Sequence, residues 1–231
     1  MRSAPDQVAD LAVAVATHAT VHQAKYLNAT TQKTHLLLVW LSYLRTTVSR
    51  RIADRLLDTS QGALIEIAGC LSLGLVRPAI FSIRAQFELL LAWIYFNDHP
   101  IEWSNFEKTG RDYPLRGVLI AYFRNNNDRF SERFRLLLRK RERQTEDPYN
   151  ILSLHVHSIS PSLGPTVGPL SSLVQPESVC DEALTLLAEV IEYLTDTLAS
   201  WYADRWYDFP REITEALETR LTAVELAEYC R

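Results

Sequence analysis

The stretch AIFSIRAQFELLLAWIYF, residues 79–96, limits the fold of this chain more than any other part of it. Wound as a helix it is aliphatic or aromatic on nearly every side, and only Arg84 and Glu88, one turn apart, interrupt it with charge. A helix apolar all round belongs inside a larger protein. Arg84 and Glu88 are therefore expected to be at least partly buried, and buried charges persist only when paired and hydrogen-bonded. Arginine before glutamate is also the less favourable order for a pair four residues apart on a helix surface. Two readings follow. The pair is a structural network tying this helix to its neighbours, or it is a polar site in which Arg84 holds an anion and Glu88 orients a base or a metal.

The rest of the chain agrees with an all-α, multi-helix bundle. Apolar residues recur every three or four positions, β-branched alternation is scarce, and there are only seven glycines in 231 residues. The spacing predicts a first helix from Asp6, its N-cap, to about Leu27, a break at NATTQKT, and a second helix over residues 35–57. A third is expected from Ser60, with Gly62, Gly69 and Gly74 allowing close approach of a neighbour. Pro78 suits the first turn of the apolar helix, and Asp147-Pro148 suits the start of another. Residues 158–176 form the only long proline- and glycine-rich tract, a loop that precedes the C-terminal helices at 177–231 within one helical domain, 1–231.

Hydrophobic residues make up 47% and charged residues 23%, which excludes global disorder. The net charge of −4 gives no overall basic field, but it is unevenly spread. Between Arg124 and Arg143 eight basic residues stand against three acids, so this segment carries +5 and the remainder −9. Read as one helix with an apolar stripe at Phe130, Phe134, Leu137 and Leu138, it would present its arginines to solvent. Arg135, Arg139 and Arg143 would then be able to touch phosphates of RNA or another nucleic acid, or an acidic protein partner. A plain solvated face with local ion pairs is the alternative. Cys70, Cys180 and Cys230 show no CxxC spacing and suit a reducing compartment. The N-terminus lacks the pattern of a cleaved leader and the apolar stretches are short or broken by charge, so a cytoplasmic protein without membrane contact is expected.

The segment YNILSLHVHS holds His155 and His157 on different helix faces, with Ser153 and His157 four apart. One imidazole is expected to face inward and meet Arg84 or Glu88 as a general acid or base, against the plainer reading of a core histidine held by a hydrogen bond. His18 and His22 have a spacing that can bind metal, yet no HExxH pattern surrounds them, and neither a metal nor another cofactor is expected. No GxSxG, P-loop or GxGxxG occurs.

The residues SLGLVRPAIFSIRAQFELLLAWIYFND followed by DPYNILSLHVHS resemble an uncharacterised bacterial all-helical family with an Arg-x3-Glu helix and a Tyr…Ser-x3-His segment. That family is similar in turn to the HEPN domains of phage-defence and toxin–antitoxin systems. The resemblance covers residues 60–160 and implies a HEPN-like bundle that pairs as a homo-oligomer. It implies a ribonuclease independent of metal, with Arg84, Glu88 and His157 catalytic and with Tyr149 and Ser153 binding substrate; His155, from the reading of the histidines above, is a further substrate-binding candidate. HEPN ribonucleases carry Arg-x4–6-His, and no histidine here has an arginine at that distance; Asn150 stands where one would precede His155. The phosphate-holding cation would have to be Arg84, from another helix. The rival reading is a helical scaffold or interaction subunit, using the arginine segment and the aromatic cluster WYADRWYDF as contact surfaces.

Overall fold

The computed structural model describes residues 3–22, 24–157 and 167–230, and in these all regular structure is helical. The centre is α4 (Val76–Asp98), with Ile83, Phe87, Leu90, Leu91, Trp93 and Phe96 each buried to 1% exposure or less. Each such side chain stabilises the fold by about 1.5–3 kcal/mol relative to exposure, so this helix organises everything packed around it. On one side lie α2 (Lys25–Tyr43) and α3 (Asp54–Ser72), and α9 (Glu177–Tyr202) packs against both α2 and α4. The other side of α4 is covered by α5 (Pro100–Thr109), α6 (Arg116–Asn126) and α8 (Pro148–Val156), while α7 (Phe130–Arg139) lies on α9. Two short helices, α10 (Arg211–Arg220) and α11 (Ala223–Tyr229), close the chain against α2 and α7. One contiguous apolar core runs from Tyr26 to Tyr229. By length and composition α4 could cross a membrane, but most of it is buried in that core.

Several expected boundaries move, each for a local reason. Helix α1 (Ala4–His22) starts earlier than expected, because Ser3 caps it and Asp6 sits one turn in, bonded back to the Ser3 hydroxyl at 2.6 Å. NATTQKT does not break the chain; it lies inside α2. Its threonines return their hydroxyls to carbonyls one turn back, Thr31 to Leu27 and Thr34 to Thr30, both at 2.8 Å. The break comes just before Lys25. The expected helix over 35–57 is instead interrupted by a π-helical turn (Leu44–Val48) and by Arg51 at φ +63°. Helix α3 then begins at Asp54, six residues before Ser60, with the Asp54 carboxylate accepting from the Ser49 hydroxyl. Ser60 itself is buried in a reciprocal pair with Gln86 of α4.

A Cβ at Gly62 or Gly69 would meet nothing within 4 Å, so close packing does not explain either. Gly74 is required twice over. It ends the α3 region at φ +74°, and a Cβ there would lie 2.7 Å from Val174 and 3.0 Å from His18. Part of the proline- and glycine-rich tract, residues 158–166, lies outside the described residues; the remainder forms a 3₁₀ turn (Leu170–Leu173) and bonds Gln175 N to the Gly74 carbonyl at 2.8 Å. The aromatic cluster after Ser200 is largely core: Trp201 packs on Phe123 and Phe130, Trp206 on Phe209 and Tyr229, and only Tyr207 stands free in solvent.

Candidate functional site

The polar face of α4 meets the first turns of α8. Asp147 accepts a hydrogen bond from Tyr149 N at 3.2 Å and Pro148 occupies the first helical position, which sets α8 so that Tyr149 and Ser153, one turn apart, both reach Arg84. Arg84 Nε donates to Glu88 at 3.1 Å, Nη2 to the Tyr149 hydroxyl at 2.9 Å, and Nη1 to Ser153 Oγ at 3.4 Å. The guanidinium also lies 4.9 Å from the Tyr149 ring centre, within reach of its negative face. Arg84 is 17% exposed and Glu88 45%, so the pair is half open. Tyr113 anchors the helix beneath, donating to the Glu88 carbonyl at 2.7 Å; burial, with the Glu88 carboxylate nearby, pushes its phenol well above the usual value.

A second guanidinium shares the ring. Arg116, at the start of α6, is 4.6 Å from the Tyr149 centre and donates to Asp147 at 2.7 Å and to the Tyr193 hydroxyl at 3.1 Å. Its Nε is buried without a partner among the described residues. Sequence reasoning passed over Arg116, although a signal was present: a cation in the first turn of a helix opposes the helix dipole and needs a partner elsewhere. Arg84, Glu88, Arg116 and Tyr149 line a recessed cavity of about 170 Å³ together with Phe87 and Leu119.

The expected imidazole is not hydrogen-bonded into this group among the described residues. His157 is the residue on which α8 ends, exposed to solvent, and no hydrogen bond among the described residues joins it to Arg84 or Glu88. Its backbone N–H still closes the last turn on the Ser153 carbonyl at 3.0 Å, so it follows Ser153 by one turn at the end of α8. His155 is half-buried; burial lowers its basicity, Glu182 of α9 partly opposes that, and its Nδ1 has no partner among the described residues.

The basic segment differs most from expectation. It is two helices and an irregular tail, broken where Asn127 donates to the Trp201 carbonyl at 3.1 Å and accepts from Arg129 N at 3.1 Å. Arg143, expected on a solvated face, is wholly buried against Asp196 at 2.7 Å and Glu192 at 3.0 Å, charges contributed by α9. Arg133 is 2% exposed and bonds Asp204 and the Tyr229 carbonyl. Arg129, Lys140 and Arg141 pair with Glu132, Glu225 and Glu146. Three exposed arginines remain with no ion pair among the described residues: Arg124 on α6, and Arg135 and Arg139 on α7. Arg124 and Arg135 border a groove of about 460 Å³ floored by Ile120, Phe130, Phe134 and Leu138. This groove adjoins a wider one of about 640 Å³ through Arg124, and that one is bordered by Arg116. A line of arginines thus runs along α6 from the recessed cavity to α7.

The His18 and His22 rings lie 4.4 Å apart, with His22 3.8 Å from Glu177, and no group of three metal-ligating side chains occurs among the described residues. Comparison with family models, with curated proteins and with solved structures finds no match.

Proposed function

We propose that this chain is a single-stranded nucleic-acid-binding helical module, with RNA as the ligand, of the defence or toxin–antitoxin kind to which its HEPN-like segments point. The observation that carries this reading is the α6–α7 groove, where Arg124 and Arg135 have no ion pair among the described residues and stand beside an apolar, aromatic floor, with Arg139 on the same helix as Arg135. Guanidiniums hold backbone phosphates, and aromatic side chains offer surfaces on which unpaired bases stack. Arg116 extends the same line toward the Arg84 cavity.

Cleavage is a separate matter. A metal-independent ribonuclease needs a general base beside its phosphate-holding cation, most often an imidazole, and among the described residues no hydrogen bond joins His157 to Arg84 or Glu88. The catalytic form of this reading therefore has an imidazole reach the substrate held by Arg84, either His157, one turn beyond Ser153, or one from a paired second chain.

Fluorescence anisotropy with labelled single-stranded RNA tests the binding. Affinity should fall with salt at a logarithmic slope of about −2, the value for three phosphate contacts on a single strand. The combined variant R124Q/R135Q/R139Q, all at exposed positions, should lose most of that affinity and keep its melting temperature. Unchanged binding by the variant, or preference for an acidic peptide over RNA, would overturn the reading. Incubating the same RNA in chelator with wild type, His157→Ala and Arg84→Ala tests cleavage; hydrolysis lost in both variants supports it, and an intact substrate with wild type removes it.

A further inference from the structure

Resting on that RNA-binding reading, we infer that the recessed cavity between α4, α6 and α8 recognises a terminal phosphate monoester of the strand that lies in the groove. Its size favours this ligand. About 170 Å³ beside two guanidiniums accommodates a phosphate group, whereas the neighbouring grooves of about 460 and 640 Å³ accommodate the strand itself. Arg116 borders both the cavity and the wider groove, so a strand lying along α6 arrives there with its end. A backbone diester carries one negative charge and continues in two directions. A terminal monoester carries up to two charges and continues in one, which matches a recess holding two cations.

The hydrogen-bonding inventory points the same way. The Tyr149 hydroxyl accepts from Arg84, and its own proton has no acceptor among the described residues. Arg116 Nε likewise has a proton with no acceptor. The Tyr149 hydroxyl, on a residue that lines the cavity, suits a ligand with acceptor oxygens, while the buried Arg116 Nε leaves that guanidinium incompletely satisfied beside it. Each guanidinium is balanced by a carboxylate, Arg84 by Glu88 and Arg116 by Asp147. Of these Glu88 is the exchangeable one, being the more exposed at 45% against 29%. An arriving phosphate takes the place of the Glu88 carboxylate on Arg84. Glu88 thereby acts as a gate that admits only a ligand of greater negative charge.

The test compares RNA of one sequence bearing a 5′-phosphate, a 3′-phosphate or hydroxyls at both ends. One phosphorylated end should bind roughly tenfold tighter than the hydroxyl form, the size of one charge-assisted hydrogen bond; which end it is reveals the strand's direction. Inorganic phosphate should abolish that preference while leaving the hydroxyl form bound. Arg84→Gln and Tyr149→Phe should remove the preference, and Glu88→Gln should enlarge it, an increase that a merely structural role would not produce. Equal affinity for the three RNAs, or a preference that survives Arg84→Gln in protein of unchanged melting temperature, overturns this inference and leaves RNA binding standing. Failure to bind any of the three overturns both.

Discussion

Two arginine clusters flank one tyrosine in this molecule, and they serve opposite ends. Arg116 and Arg143 both lie over the Tyr193 ring, at 5.9 and 5.4 Å. Beyond Arg143 is a cluster built on a buried carboxylate, although Arg220 and Glu192 at its edge border a groove of about 580 Å³. Asp196, 1% exposed, receives Arg143 at 2.7 Å and Arg220 at 2.6 Å, and Glu192 receives both as well. Beyond Arg116 is an open one, where Arg84 leans on a half-exposed Glu88 and a cavity separates the guanidiniums from full enclosure. The residue types are the same, and the exposure of the carboxylate separates them. A buried carboxylate has no water to fall back on, so its arginines are committed to it. An exposed one gives up little when a better anion takes its place.

The largest break in that comparison should come from Asp196→Ala. Two guanidiniums would be left facing a partial counter-charge in the interior, at a cost of about 3–5 kcal/mol, read as a lower urea midpoint. A stability unchanged within error would show that cluster to be as dispensable as the open one. Gln86→Ala should come next, since it strips the buried Ser60 hydroxyl of its partner between α3 and α4 and should cost about 1–3 kcal/mol. Arg84→Gln should change stability by less than about 1 kcal/mol, because its carboxylate is already half in water. A larger loss would move the open cluster into the structural class.

The smallest effect concerns the packing of α1. Burial lowers the basicity of His18, with His22 adding to the shift and the Leu71 carbonyl and Glu177 opposing it. Its value in the folded chain therefore lies below that in the unfolded chain, and the unfolded chain binds more protons. Stability from this histidine is present above about pH 6.5 and is lost as pH falls through its lowered value. His18→Gln should flatten that part of the pH profile, measured by thermal midpoints between about pH 7.5 and about pH 5.5. An identical slope in wild type and variant would assign the pH dependence to other groups.

Much of the site was readable before any coordinates. Arg84 and Glu88 stood out because charge in an apolar helix must be satisfied, and Tyr149 and Ser153 do reach Arg84, held by the Asp147-Pro148 start that the sequence advertises. Arg116 went unremarked because nothing nearby in the chain partners it; Asp147 is 31 residues away and Tyr193 77. Charge counting misjudged the basic segment for the same reason. Arg143 has its carboxylates 49 and 53 residues downstream, and a stretch of +5 says nothing about which acids will fold onto it.

By itself, then, the sequence determined the helical class, the central position of α4, and the local starts and stops that capping residues and prolines control, since these depend on periodicity and on neighbours a few residues apart. Only the tertiary structure decided which arginines are enclosed and which remain free, where α8 ends relative to Arg84, and that a cavity opens between two guanidiniums. Those outcomes depend on side chains from distant helices meeting in space, and electrostatic partnership falls with distance through space, not along the chain.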